Sequence, residues 1–229
     1  MDQMSDKFSF NRRQVVAMGT TMTAGSLAGC VAGGGGVQQV ALGYKPVPQL
    51  GTPNNEAFPV PAVDMRKIPT QFHRQYVRHN QKYKKNTIIV DTENRYMYFI
   101  EDDDQAIRYG IGVGRAGFSW GGNATIRRKA KWPTWTPPSS MIRRQPELEK
   151  WRGGMPGGPE NPLGARALYL YKGGRDTLYR LHGTNEPFSI GKAMSSGCIR
   201  MLNRDAIDLY ERVKIGASVV VDQRGGASV

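Results

Sequence analysis

The stretch LHGTNEPFSIGKAMSSGCIRM, residues Leu181–Met201, holds a histidine–glycine pair and a glycine–cysteine pair within one short segment. His182 ends a strand-like run, DTLYRLHG, and Cys198 precedes the helix-like pattern NRDAIDLYERVKIG. A thiolate exists near neutral pH only beside a base or a positive charge, and His182 can supply that. Two interpretations therefore compete for Cys198: a nucleophile served by His182, or a small buried residue in a glycine-rich turn.

The segments around this stretch predict a mainly β fold with one clear helix. NTIIVDT and RYMYFIE form a predicted hairpin with its turn at Glu93–Asn94, and AIRYGIGVG and ASVVVD read as further strands. Ala167–Tyr171 and Thr177–His182 complete the strand set. The helix should begin with Asn203 as its N-cap and end near Gly216.

The section from Arg115 to Ala165 reads as a long loop rich in glycine and proline, and it contains all four tryptophans. Loops of this length in a compact domain commonly serve as lids or binding walls. The alternative is that the tryptophans close the edge of the core, and the sequence does not separate the two.

The residues next to Cys198 suit an acyl-transfer site. Gly197 has no side chain, so the N–H groups of Gly197 and Cys198 could point at a developing oxyanion. Arg200 could bind a substrate carboxylate or form a salt bridge with the helix that follows. From spacing alone, one cysteine and one histidine are a loose signature, and both interpretations of Cys198 stay open.

The combined pattern HG, a gap, then S-x-G-C-[IV]-R closely resembles the catalytic domain of L,D-transpeptidases. NPLGARALYL and the hairpin IIVDTENRYMYFIE are also similar to that family, so the resemblance covers roughly Asn86 to Asp222. It implies a β-sandwich or barrel-like domain that remodels peptidoglycan, and it favours the catalytic interpretation.

The resemblance also implies roles for individual residues. Cys198 would attack the diaminopimelate carbonyl of a stem tetrapeptide and release D-alanine, and an amine of a second stem would take the acyl group in a 3→3 cross-link. His182 would accept the thiol proton, oriented by the backbone carbonyl of Gly183. Asn185 or Asp205 could orient the histidine instead.

Further members of the motif carry supporting expectations. Backbone N–H groups of Gly197 and Cys198 would form the oxyanion hole, and Ser196 and Arg200 would be substrate-binding residues. No metal or organic cofactor is implied, and His73 and His79 lack ligand partners at metal-binding spacing. The acceptor could instead be water or an outer-membrane protein, and the rival from another class is a wall-binding lipoprotein without catalysis.

The first thirty residues predict export. The pair Arg12-Arg13 before the weakly apolar run Val15–Ala28 suggests a twin-arginine signal, and LAGC resembles a lipobox that would place a lipid on Cys30. A plain secretory signal is the alternative. The protein is expected in the periplasm, anchored to a membrane through the lipid. The predicted organisation is a signal at 1–29, a Gly/Pro-rich tether at 30–63, an extension at 64–85, a catalytic domain at 86–223 and a tail at 224–229. Some residues of the tether after Tyr44 are expected to pack on the domain surface.

The chain is strongly basic, with 32 Lys and Arg against 19 Asp and Glu and a formal charge of +13. Such a surface attracts polyanions. No zinc-finger spacing, RNA-recognition signature or helix-turn-helix pattern is present, so nucleic acid is not favoured as a partner. The carboxylates of peptidoglycan stem peptides are the anionic partner that the resemblance implies.

Overall fold

The computed structural model describes residues 47–49, 55–79, 83–102, 104–114, 121–194 and 198–222. Across these residues the fold is mainly β, which confirms the predicted fold class. The strands are β1 Gln75–Arg78, β2 Thr87–Asp91, β3 Tyr96–Ile100, β4 Gln105–Gly110, β5 Gly112–Gly114, β6 Gly122–Lys131, β7 Arg166–Lys172, β8 Arg175–His182, β9 Ala193–Met194, β10 Ile199–Arg200 and β11 Ser218–Asp222. The α-helices are α1 Ser139–Arg144 and α2 Asn203–Arg212.

The strands form one sheet in the order β1-β4-β3-β2-β11-β6-β7-β8-β10-β5-β9. Neighbours in the chain, such as β2 and β3 or β7 and β8, pair antiparallel as hairpins. Three pairs are parallel: β2 with β11, β8 with β10, and β5 with β9. The β8–β10 pair is the one that concerns function, because it joins the end of the histidine strand to the segment that follows the cysteine.

One face of the sheet packs into a single core. Alternate residues of strands far apart in the sheet, such as Val90 of β2 and Leu168 of β7, belong to the same buried cluster. The helix α2 adds Ala206 and Leu209 to that cluster. Because side chains of a strand alternate between faces, this arrangement leaves the other face of β7, β8 and β10 available for polar residues.

The expectation of a continuous loop from Arg115 to Ala165 is wrong, because the ten-residue strand β6 lies within it. Four of the ten residues of β6 are Arg or Lys, and they hide the alternation that marks a half-buried strand. Only Ala124 and Ile126 of this strand are buried. The helix α1 and a 3-10 turn at Pro146–Trp151 divide the remainder.

The tryptophans of that section do not act as one group. Trp132 is buried against Ala165 and Ile207, so this side chain closes an edge of the core. Trp135 and Trp151 are half-buried, and Trp120 lies outside the described residues.

The helix after the cysteine is present as α2, but its predicted ends are wrong. Leu202 occupies the N-cap position without a side-chain hydrogen bond, and Asn203 is the first helical residue. The helix ends at Arg212, and Gly216, with φ +91°, lies in the turn before β11. The Asn203 side chain is used elsewhere, as described below.

The predicted signal, the lipobox and Cys30 lie outside the described residues. Part of the stretch assigned to the tether contacts the domain: Val60 packs on the Trp132 cluster, and Glu56 pairs with the buried Arg166. Among the helices of the described residues, none has both the length and the apolar character needed to cross a membrane.

Candidate active site

His182 is the last residue of β8, and Cys198 directly precedes the adjacent strand β10. In the parallel pair of β8 and β10, His182 lies beside Arg200. The same register, continued two residues back, puts Cys198 beside Arg180. Side chains of a strand alternate between faces, so these four side chains share one face, whereas Ile199 packs into the core on the other. The parallel strand pair therefore brings the two expected residues together.

The hydrogen bonding of His182 defines its tautomer. The side chain is buried, and its Nδ1 lies 2.5 Å from the carbonyl oxygen of Gly183. A carbonyl can only accept, so Nδ1 carries the proton and Nε2 of the neutral ring holds a lone pair.

The environment of His182 keeps it neutral. Burial lowers the pKa of His182 to about 4, although the Gly183 hydrogen bond acts in the opposite direction. The positive charges of Arg200 and Arg180 lower it further. At pH 7 the imidazole is therefore a neutral base with Nε2 as the proton acceptor.

Cys198 carries a free thiol in a half-buried position. Burial raises the pKa of Cys198 above its ordinary value, and a backbone hydrogen bond from Arg180 and the charges of Arg180 and Arg200 only partly offset this. The resting pair is thus a neutral thiol and a neutral imidazole, not a thiolate and an imidazolium. The proton has to move when a substrate arrives.

Asn203 explains why a glycine follows the histidine. Its Oδ1 accepts hydrogen bonds from the backbone N–H groups of Ala165 at 3.0 Å and Thr184 at 3.1 Å. A Cβ on Gly183 would lie 2.1 Å from this oxygen, and so would one on Gly164. Asn203, the first residue of α2, therefore joins two loops beside the histidine, whereas its place at the start of the helix pattern predicts a cap.

The other candidates for orienting the histidine have partners elsewhere. Asn185 donates to the carbonyl of Glu160 at 3.0 Å. Asp205 is buried and ion-paired with Arg74 at 3.4 Å, and burial raises the pKa of Asp205 to about 6. In the described part of the chain, the His182 ring bonds to the Gly183 carbonyl.

Arg200 forms an ion pair with Glu186, in the loop after the histidine. This contact differs from the predicted alternative of a salt bridge to the following helix. The Arg200 side chain is mostly buried and Glu186 is exposed. A substrate carboxylate at Arg200 would compete with Glu186, so the substrate-binding role of Arg200 stays a prediction. Ser196 and Gly197 lie outside the described residues, and their expected roles also stay predictions.

The histidines near the start of the domain bond to backbone carbonyls. His73 Nε2 lies 2.9 Å from the oxygen of Ile68, and His79 Nε2 lies 2.7 Å from that of Asp102. Within the described ranges, no cluster of three histidine, cysteine or acidic residues could hold a metal ion.

Comparison with known proteins gives a consistent family. The family model for the YkuD L,D-transpeptidase catalytic domain matches residues 85–221. Two Escherichia coli proteins are similar: the probable L,D-transpeptidase ErfK/SrfK, 37% identical over 61% of this chain and 45% of the relative, and the probable L,D-transpeptidase YbiS, 38% identical over 58% and 42%. The chain thus spans less than half the length of these curated relatives.

A solved structure from Brucella melitensis, described as a probable carnitine operon oxidoreductase, is also similar. It is 45% identical and covers 69% of this chain and 99% of its own, with a TM-score of 0.48.

Proposed function

Since the chain belongs to the L,D-transpeptidase catalytic-domain family, we propose that it acts on peptidoglycan stem peptides through a cysteine acyl-enzyme. The observation that carries this proposal is the pairing of Cys198 and His182. A free thiol lies on the same sheet face as a buried, neutral histidine whose tautomer is held by a backbone carbonyl. That arrangement supplies a nucleophile and a base without a metal or a cofactor.

In the acylation step, the Cys198 sulfur attacks the carbonyl at the L-centre of diaminopimelate, and the thiol proton moves to Nε2 of His182. The imidazolium that forms keeps its Nδ1–H donated to Gly183, so the ring does not have to reorient. The carbon–nitrogen bond to D-alanine then breaks. The leaving amine takes the proton back from Nε2, which leaves a thioester on Cys198 and a neutral histidine.

In the transfer step, an acceptor amine attacks the thioester, and His182 takes a proton from the amine and returns it to the departing thiolate. With the side-chain amine of a second stem, the product is a 3→3 cross-link. The oxyanion of each step would be stabilised by backbone N–H groups of Gly197 and Cys198, with Ser196 and Arg200 contacting the substrate. Losing one such backbone donor typically costs on the order of 10²–10³ in rate.

Two other acceptors would use the same acyl-enzyme. Water would make the protein an L,D-carboxypeptidase, and an amine of an outer-membrane protein would make it a protein-to-wall ligase. Analysis of digested cell wall from a deletion strain separates the acceptors, through loss of 3→3 dimers, of tripeptides, or of protein-linked peptides.

We also propose export to the periplasm with a lipid on Cys30, which the LAGC sequence supports.

Intact-protein mass spectrometry tests the acyl-enzyme directly. The purified chain is incubated with a disaccharide tetrapeptide, and the expected product is a covalent adduct of the donor minus D-alanine that is absent in Cys198→Ala. Incubation with a carbapenem should give a second adduct on the same residue. If the folded wild-type protein forms neither adduct, Cys198 is not an activated nucleophile and the wall-binding alternative takes precedence.

A further inference from the structure

A row of four residues crosses the sheet next to the proposed active site. Arg128 of β6 pairs with Tyr169 of β7, and Tyr169 pairs with Arg180 of β8. Cys198 directly precedes β10, and the register of β8 and β10, continued by one residue, places it beside Arg180 as the fourth member of the row. Residues paired across strands project to the same side of a sheet, so the row lies on the face that carries the thiol.

The two arginines of the row both contact the ring of Tyr169. The guanidinium carbons lie 4.4 Å (Arg128) and 4.3 Å (Arg180) from the ring centroid. The ring itself is buried, at 7% exposure, so it forms a fixed support. A guanidinium stacked on an aromatic face keeps its N–H donors directed along its own plane, outward from the ring.

The donors of the two arginines are used differently. Arg180 donates to both carboxylate oxygens of Asp176, at 2.7 and 2.8 Å, and its side chain is mostly buried. Arg128 is exposed, and in the described part of the chain no carboxylate lies within ion-pair distance of it. Its charge reaches Asp176 only at longer range, where it helps to lower the pKa of that carboxyl. Arg128, Arg180 and Asp176 together carry two positive charges and one negative charge, so the net charge of the three is +1.

The position of Arg128 suits a ligand that also reaches Cys198. Neighbouring strands lie about 4.8 Å apart, so a guanidinium above Tyr169, two strands from β10, is roughly 10 Å from the thiol. An extended peptide spans about 3.3–3.6 Å per residue. A peptide whose carbonyl sits at Cys198 can therefore place a group two or three residue lengths away against Arg128.

We propose that Arg128, supported by Tyr169, binds a carboxylate of the donor stem peptide and so selects donors that carry it. This inference rests on the proposed function. The planar Arg128 guanidinium, which has no carboxylate partner among the described residues, can bind both oxygens of a carboxylate through two parallel N–H donors, whereas a neutral group offers it no such charge-assisted pair. Besides the terminal carboxylate of the D-alanine that leaves, the donor offers two such groups, the carboxylate of the diaminopimelate side chain and that of the glutamate before it, and the experiment separates them.

The experiment measures D-alanine release by the full-length wild type and by Arg128→Gln. Three donors are compared: the free tetrapeptide, one amidated at the diaminopimelate side chain, and one amidated at the glutamate. Arg128→Gln should lower kcat/KM about tenfold for the free donor, mainly through KM, since one charge-assisted contact is lost. One of the two amidated donors should already have a kcat/KM about tenfold lower than the free donor with the wild type, and Arg128→Gln should not lower that value further. Arg128→Lys should retain more activity than Arg128→Gln but less than the wild type, because lysine keeps the positive charge without the two parallel N–H donors of a guanidinium.

Arg127→Gln is the matched control, since it removes one exposed charge from the neighbouring position of the same strand. Alkylation of Cys198 by iodoacetamide should be unchanged in both variants, because the charges that shift the pKa of Cys198 belong to Arg180 and Arg200. Equal kcat/KM for all three donors with the wild type, or an equal loss in Arg127→Gln, would overturn the inference while leaving the proposed function intact. No D-alanine release from any donor by the wild type would instead refute the proposed function.

Discussion

Replacing Glu56 by alanine tests whether the segment before the catalytic domain is part of its folded structure. The Glu56 carboxylate is 6% exposed and is paired with Arg166, whose side chain is 1% exposed. It also accepts a hydrogen bond from Nε1 of Trp132 at 2.8 Å. Composition places this residue in a Gly/Pro-rich tether, some of whose residues after Tyr44 are expected to pack on the domain, so the loss of stability measures how firmly this part is packed.

The expected magnitude follows from what the substitution leaves behind. Removing one partner of a buried ion pair costs about 3–5 kcal/mol, because the other charge stays buried without compensation. Arg166 keeps a hydrogen bond to the carbonyl of Ala165 and a contact with the ring of Tyr210, and these favour the lower end. A loss of about 3 kcal/mol corresponds to a fall in Tm of roughly 6–12 °C for a domain of this size.

Thermal unfolding of wild type, Glu56→Ala and Glu149→Ala measures this difference. Glu149 forms an ion pair with Arg152 in which both side chains are more than half exposed, so its removal should leave Tm nearly unchanged. A Tm of Glu56→Ala within about 2 °C of the wild type would refute the reasoning.

The pH dependence gives an independent check on Glu56. Burial alone would raise the pKa of Glu56, but hydrogen bonds from Arg166 and Trp132 and the charge of Arg166 lower it below 4.5. A carboxyl with a lowered folded pKa contributes stability above its unfolded pKa and loses it as the pH falls through the folded pKa. The difference in Tm between wild type and Glu56→Ala should therefore shrink below about pH 4.5.

The remaining predictions concern the site. Cys198→Ala should abolish D-alanine release with little change in Tm. His182→Ala should lose nearly as much activity, because the two residues act as a unit. A large fall of Tm in both variants would instead show that the lost activity comes from lost stability. As the pH is lowered, kcat/KM of the wild type should fall with a midpoint near pH 4, the pKa of buried His182. A midpoint at the ordinary histidine value of 6.5 would show that His182 is solvated in the free enzyme. Asn203→Ala should lower the free energy of unfolding, measured by chemical denaturation, by about 2–4 kcal/mol, because the N–H groups of Ala165 and Thr184 lose a buried acceptor. Asn203→Asp keeps that acceptor and should lose less.

The strands and the candidate pair of His182 and Cys198 can be predicted from the sequence because their signals are local. The hairpin of β2 and β3 has apolar β-branched and aromatic residues on both sides of a polar turn, and the motif around Cys198 lies within one short stretch. What brings His182 and Cys198 together is different in kind. Their proximity depends on β8 and β10 pairing in parallel, which no local pattern announces.

The features that the sequence concealed share a physical cause. The strand β6 carries basic residues because its exposed face is polar, and those residues masked the period of two. Asn203 looks like a cap by position, yet its acceptor serves two loops that are distant in the chain. A long-range hydrogen bond leaves no trace in the spacing of neighbouring residues, so the local pattern predicts only a cap.

The segment at Glu56 is connected to the histidine by three successive contacts. Glu56 pairs with the Arg166 side chain, the Arg166 carbonyl accepts the Gly183 N–H at 2.9 Å, and the Gly183 carbonyl accepts Nδ1–H of His182. The backbone of Gly183 is therefore held on both sides, by β7 and by the histidine. A domain boundary at residue 63, as composition suggests, excludes Glu56 from the domain that contains Arg166. Without Glu56 the Arg166 charge would be buried without its partner, next to the loop whose Gly183 carbonyl fixes the tautomer of His182. By this argument Glu56 belongs to the folded domain, as does Val47 of the same stretch, which is buried in the main core.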